Sequence, residues 1–311
     1  MRIHVLKHAC VGAAEDAFLK IAQGAGHRVS IVDPRDVAFM EKAQLPDAVL
    51  ARCELDRFAD PIFAEYLSAL YRYERYDIPV LNSAAFLLVG QDKYLAHLAV
   101  EKMLQRHPLE QCFTPKTIRV SRREDVAERA VPFFDHYAGL VVKPPCSGRG
   151  KGILFVETSD QLARALASYD EQEPILLQQP ILKESSSTGR LQDIRLWVIR
   201  DAVTRQARVV DAYYRIGEMG SFLTNQSQGA SIELMQSIDH LLRRFASAIL
   251  DAVGGDVAGV DIARDVHGQY WFEEVNVAFE TRMETIHLLG DGIWRETVRL
   301  IEARGDRQPY S

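Results

Sequence analysis

The stretch Val141-Val142-Lys143-Pro144-Pro145-Cys146-Ser147-Gly148-Arg149-Gly150-Lys151-Gly152-Ile153 sets the reading of the whole chain. An apolar strand ends in a lysine, and a loop follows with glycines at alternate positions, 148, 150 and 152. Glycine lets backbone N–H groups close over phosphate oxygens with no side chain in the way. Arg149 and Lys151 add positive charge to the same loop. The GxxxxGK[ST] pattern is absent, and a second apolar stretch, 153–156, follows where that pattern demands a helix. No HRD or DFG sequence occurs downstream, which argues against a protein-kinase loop. Taken alone, the segment reads equally as a phosphate loop or as a hairpin with a basic, solvated tip.

A second feature lies near the C-terminus, in Val257-Ala258-Gly259-Val260-Asp261-Ile262 and Trp271-Phe272-Glu273-Glu274-Val275-Asn276. Carboxylates inside such apolar strands are costly unless they are paired or bind a cation. With no His or Cys nearby, an oxygen-only set suits Mg²⁺ shared with phosphates. Counting by twos from Glu274 places Asn276 on the same face and Glu273 on the other. The predicted metal ligands are therefore Asp261, Glu274 and Asn276, with Glu273 pointing outward. A third feature is Asp193-Ile194-Arg195-Leu196-Trp197, followed by Arg215 and Asn225. Arg195 reads either as half of a strand ion pair or as a clamp on a transferred phosphoryl group.

Around these features the chain has 311 residues, enough for about two domains or one large composite unit. It is 47% hydrophobic and 26% charged, with a net charge of −6. That composition excludes disorder and fibrous repeats, and the acidic balance argues against a nucleic-acid partner. No apolar run is long enough to span a bilayer. The opening residues alternate like a strand and lack the apolar core of a signal peptide. The four cysteines, Cys10, Cys53, Cys112 and Cys146, are widely separated and predict neither disulfides nor zinc, which suits a cytoplasmic protein.

Hydrophobic periodicity predicts strands at 2–6, 27–32, 48–51 and 79–82 and helices over 13–25 and 61–73, a small parallel α/β region. Gly24-Ala25-Gly26 follows a helix and precedes a strand, the wrong order for a dinucleotide fingerprint. A helix is predicted over 92–105, strands at 140–143, 153–156 and 175–179, and a helix over 159–168. Longer strands are predicted at 194–200 and 207–214, a long helix over 232–253, strands at 257–263 and 270–275, and a last helix over 292–303.

In their order and spacing these features resemble the ATP-grasp superfamily, and within it the RimK-like and glutathione synthetase-like carboxylate–amine ligases. The marks are Val80-Leu81-Asn82, Asp92-Lys93, Val141-Val142-Lys143, the glycine loop, Leu177-Gln178-Gln179-Pro180-Ile181, Asp193-Ile194-Arg195, Asn225, Gly259-Val260-Asp261 and Glu274-Val275-Asn276. The resemblance implies an α/β ATP-grasp fold: a Rossmann-like N-terminal domain at 1–88, a central lobe with the glycine loop at 89–181, and a C-terminal lobe with the metal site at 182–311. It implies that Lys93 and Lys143 hold ATP phosphates under the loop Ser147, Gly148, Arg149, Gly150, Lys151 and Gly152. Gln178, Gln179 and Ile181 would form the adenine hinge, and Glu184 would meet the ribose. Arg195, Arg215 and Asn225 would face the acceptor carboxylate and the γ-phosphate. Asp261, Glu274 and Asn276 match the family's metal ligands, for Mg²⁺ with Mn²⁺ as a substitute.

The chain departs from the family pattern at the hinge, in the loop after Asn225, where Gln228 replaces an Arg, and after the metal-binding Asn, the last of these bearing on substrate. Gln179 stands where a Glu is usual, and Val277-Ala278-Phe279-Glu280-Thr281-Arg282 replaces the short turn after the metal-binding Asn. The implied activity is an ADP-forming ligase that joins a carboxylate, on an amino acid or peptide, to an amine through an acyl phosphate. The alternatives are a non-catalytic ATP-binding regulator and a small-molecule kinase. A homodimer or homotetramer would use the apolar N-terminal strands.

Overall fold

The computed structural model describes residues 1–8, 12–53, 61–148, 150–224, 229–278 and 283–305. Three sheets organise it. The first contains β1 (Arg2–Leu6), β2 (Arg28–Val32), β3 (Ala48–Ala51) and β4 (Val80–Leu81), all parallel, in the order β2-β1-β3-β4. Helices Ala13–Gly24 and Pro61–Arg75 are among its connections, as the alternating periodicity predicts. Chain order then gives β5 (Cys112–Phe113), β6 (Thr117–Val120), β7 (Leu140–Lys143), β8 (Leu154–Val156) and β9 (Ile175–Gln178). Strands β6-β9-β7-β8 form an antiparallel sheet backed by helices Val126–His136 and Ser159–Leu166.

The largest sheet uses β10 (Gln192–Arg200), β11 (Ala207–Ile216), β12 (Ser231–Leu234), β13 (Val257–Arg264) and β14 (Tyr270–Asn276), in the order β12-β11-β10-β13-β14-β5. Its last member, β5, comes from the segment expected to form the central lobe and runs parallel to β14.

One face of this sheet is apolar throughout. Ile194, Leu196, Val260 and Ile262 pack against Leu242, Phe245, Ile249 and Leu250 of helix His240–Val253. Burying such side chains contributes roughly 1.5–3 kcal/mol each. The opposite face is divided. At one end Trp197, Ile199, Tyr213 and Val257 bury against Phe18 and Trp294, joining the large sheet to the first. At the other end Asp193, Arg195, Arg215 and Asp261 take over. Asn82 stitches the two regions, accepting from the backbone N–H of Asp256 and Val257 and donating to the Val257 carbonyl.

The chain departs from the sequence expectations in identifiable places. The helix expected over 232–253 begins only at His240, because Ser231–Leu234 adds an edge strand to β11 and Asp239 caps the helix through Leu242 N–H. Helices Ala84–Gln91, Val126–His136 and Met283–Leu289 and the strands β5 and β6 have no counterpart in the sequence reading. Helix Val126–His136 carries Pro132 inside it, which hides it from propensity rules. Cys53, Cys112 and Cys146 are buried free thiols, while Cys10 lies outside the described residues. Among the described residues no helix is long and apolar enough to cross a membrane.

Candidate active site

Where the glycine-loop sheet meets the charged end of the large sheet, a cavity of about 60 Å³ is lined by Lys143, Gln178, Gln179, Ile181, Arg215, Asp261 and Glu274, all singled out from sequence. Lys183, Asp193, Phe222, Leu223, Thr224 and Glu273 complete much of its wall. The space suits a phosphate-sized group, so a whole nucleotide requires the surrounding segments to part.

Strand register builds the charged centre. Arg195 on β10, Asp261 on β13 and Glu274 on β14 stand directly opposite one another. Arg195 grips Asp261 with two hydrogen bonds of 2.6 Å. Arg215 donates 2.7 and 2.8 Å bonds to Asp193 and also reaches Asp261 at 2.9 Å. Asn276 donates to Asp261 at 3.3 Å. Burial by itself would raise the Asp261 carboxyl, but the guanidiniums of Arg195 and Arg215 outweigh it and hold the group well below the usual carboxylate range. Asp193 is lowered against burial in the same way by Arg215 and Lys183, and Thr224 donates to it.

Glu273 corrects the sequence reading. Strict alternation sends it outward, but the ladder between β13 and β14 shifts at Asp261/Ile262, where Asp261 pairs with Glu274 and Ile262 with Phe272. Glu273 is the extra residue of a β-bulge, so two consecutive glutamates face the cavity. Its carboxylate meets Lys183 Nζ at 2.8 Å. Burial pushes Glu273 up to about 7, with Lys183 opposing the shift and Asp193 adding to it.

Lys93 and Lys143 lie beside the glycine loop and the charged centre. Asp92 caps helix Lys93–Arg106 through the N–H groups of Tyr94 and Leu95, which puts Lys93 on its first turn. Lys93 N–H bonds the Pro145 carbonyl at 2.8 Å, and its Nζ holds the Ser147 carbonyl at 2.5 Å and hydroxyl at 3.2 Å. The same Nζ lies 3.9 Å from Glu274. Lys143 is buried at the end of β7; burial first, and Lys93 second, lower its ammonium to about 8. Gly150 and Gly152 adopt φ of +71° and +67°, which explains glycine at both positions. Tyr169 hydroxyl donates to the carbonyls of Val142 and Gly152, pinning both ends of the loop.

Other expected residues stand apart from the charged centre. Gln179 turns its side-chain carbonyl to Lys116 N–H. Gln178 donates to Thr117 and His97, and buried His97 also contacts Thr114 and is held neutral by burial and by Lys143. Glu184 engages Gln192 and Arg264. Arg149 and Asn225 lie outside the described residues, as do Gln228 and Arg282. Sequence reasoning missed Lys183, Thr224 and Phe222. Lys183 carried a signal, a cation between hinge residue Ile181 and Glu184. Phe222 carried none; it stacks on Phe155 of β8 at 5.3 Å, across the mouth of the cleft.

The cluster holds five cations, Lys93, Lys143, Lys183, Arg195 and Arg215, against four carboxylates, Asp193, Asp261, Glu273 and Glu274. It therefore carries an excess positive charge suited to a polyanion. Of the three ligands expected from sequence, Asp261 has both oxygens engaged by Arg195 and Arg215, and Asn276 turns its amide nitrogen to Asp261. Glu274 lines the cavity, 3.9 Å from Lys93 and Arg195, and carboxylate and amide oxygens are the donor type that suits Mg²⁺. Among the described residues no three His, Cys, Asp or Glu side chains are grouped so as to hold a metal ion by themselves.

The family profile of the RimK-like ATP-grasp domain matches residues 91–290. The chain belongs to that family. A probable alpha-L-glutamate ligase 2 from Hahella chejuensis is 27% identical over 201 residues, 65% of this chain and 60% of that protein. A probable alpha-L-glutamate ligase from Haemophilus influenzae is 24% identical over 262 residues, 79% of this chain and 80% of that one. The fold is shared with the ATP-grasp ligase PsnB, solved with a phosphomimetic variant of its minimal precursor, Mg and ADP. The TM-score is 0.66 at 16% identity, covering 97% of this chain and 98% of that one.

Proposed function

We propose that the protein is an ATP-dependent ligase that forms an amide bond between a carboxylate and an amine through an acyl phosphate. The observation that carries this reading is the row Arg195–Asp261–Glu274, with Arg215 beside it, at a cavity that buried Lys143 also lines.

A carboxylate is a poor electrophile, so the reaction begins by activating it. A carboxylate oxygen of the acceptor attacks the γ-phosphorus of ATP; the bond to the bridging oxygen breaks and ADP leaves. Lys93, Lys143 and the loop N–H groups offset charge on the phosphates, while the protein mainly positions the reactants. The amine then attacks the acyl carbon, inorganic phosphate departs, and the amine loses its proton. Arg215 has a guanidinium edge at the cavity wall and stabilises the anionic tetrahedral intermediate, with Arg195 and Asn225 in support. Loop closure excludes water that would hydrolyse the acyl phosphate. Asp261, Glu274 and Asn276 would hold Mg²⁺, or Mn²⁺ in its place, which supplies charge neutralisation at the phosphates. Gln178, Gln179 and Ile181 would border the adenine and Glu184 the ribose.

The names of the relatives make glutamate a first substrate to test, as the amino acid added to a peptide or amino-acid acceptor. The division into 1–88, 89–181 and 182–311, with nucleotide between the last two, belongs to this proposal, as do a cytoplasmic setting and a homo-oligomeric state.

A coupled assay tests the reading. ADP and phosphate released together, only when acceptor and amine are both present, support the ligase. ADP without free phosphate identifies a kinase, and neither product identifies a nucleotide-binding regulator.

A further inference from the structure

A second cavity, of about 1000 Å³, shares no lining residue with the cleft. It is a groove between helices Lys93–Arg106 and His240–Val253, floored by Ala207 and Val209 of β11. These two residues belong to the helix-covered face of the large sheet, whereas Tyr213 packs on the opposite face, the one that carries Arg215 and the charged centre. The floor and walls are apolar: Leu98, Met103, Leu109, Val209 and Ala248. Around them stand Lys102, Arg106, Arg243 and Arg244, all exposed, and none has an ion-pair partner among the described residues. Lys102 and Arg106 are one helical turn apart on one wall, and Arg243 and Arg244 project from the other. Among the described residues the single carboxylate lining the groove, Asp251, is already bonded to Arg200 at 2.7 Å.

A cationic rim on a chain of net charge −6 is a local reversal of sign. We infer that this groove binds an acidic amphipathic peptide segment, apolar side chains down and carboxylates to the rim. Two parallel apolar walls with polar edges are how a groove accepts a helix, and the unpaired cations select negative charge. A nucleic-acid strand is the poorer fit, because among the described residues no Phe, Tyr or Trp lines the groove to stack a base. This site is independent of the ligase reading, since none of its residues belongs to the cleft.

The test is fluorescence anisotropy on the full chain with a short labelled peptide, Leu at helical spacing and Glu elsewhere. The expected result is saturable binding that weakens with salt and falls at least about tenfold in the charge-reversal variant Lys102→Glu/Arg106→Glu/Arg244→Glu. A similar loss is expected in Ala248→Trp, which fills the groove from its helical wall and carries the test if the triple variant does not fold. Lys20→Glu, an exposed reversal elsewhere, leaves binding unchanged. The inference is overturned by absent binding, by affinity indifferent to the groove variants, by equal binding of the Lys-for-Glu peptide, by tighter binding of a single-stranded oligonucleotide, or by complete competition from inorganic phosphate at matched charge.

Discussion

The two faces of the six-stranded sheet share a backbone yet obey different physics. On β10, Ile194 and Leu196 point to the helix-covered core, and Asp193 and Arg195 point to the cleft. The core face stabilises by removing apolar area from water. The cleft face spends stability, because buried ion pairs seldom recover their full desolvation cost. The contrast shows that the sheet's fold and its chemistry rest on alternate residues of the same strands, so substitutions on the two faces should separate cleanly.

The largest effect is expected on the cleft side. Glu274→Ala removes a proposed metal ligand and should lower kcat/KM by more than about 10³-fold, the scale seen when a group stabilising transition-state charge is lost. Its melting temperature should stay close to that of the parent, since the ion pairs of Glu274 with Lys93 and Arg195 are long, at 3.9 Å. Normal turnover by this variant would remove the metal assignment. The mirror experiment is Leu196→Ala. It should cost roughly 2–5 kcal/mol in denaturant unfolding with kcat nearly unchanged. A large kcat loss there, with stability intact, would break the comparison.

Protonation sharpens it next. Lys143 must be an ammonium to hold phosphate, and burial lowers it to about 8. The kcat/KM profile should therefore fall on an alkaline limb near that pH, and Lys143→Arg should move the limb upward out of range. Glu273 has a folded pKa of about 7 against an ordinary 4.5. Its folded state binds the extra proton, so this contribution to stability is complete below the ordinary value and is lost as pH rises through about 7. Glu273→Gln lacks that loss, and its melting temperature relative to the parent should climb between about pH 5 and 8. The smallest effect is at Gly150, whose φ of +71° makes Gly150→Ala cost about 1–2 kcal/mol locally. It should appear as a raised KM for ATP with little change in global unfolding.

Much of this was legible in the residues. The strands Ala48–Ala51 and Leu140–Lys143 fall where periodicity places them, and Asp261 and Glu274 emerge as partners because both sit inside apolar runs. What stayed hidden depended on contacts distant in sequence. Ser231–Leu234 reads as helix until β11 offers an edge to pair with. Lys183 reads as a surface lysine until Asp193, Thr224 and Glu273 gather around it.

Local patterning thus determined the class of fold, the glycine loop and the carboxylates of the charged row, because strand alternation and glycine conformations are short-range properties. Only the tertiary structure decided which face Glu273 occupies, since a bulge is a mismatch between two strands and no single strand encodes it. It alone decided the groove between the two helices as well, since unpaired cations become a site only when separate elements bring them to one rim.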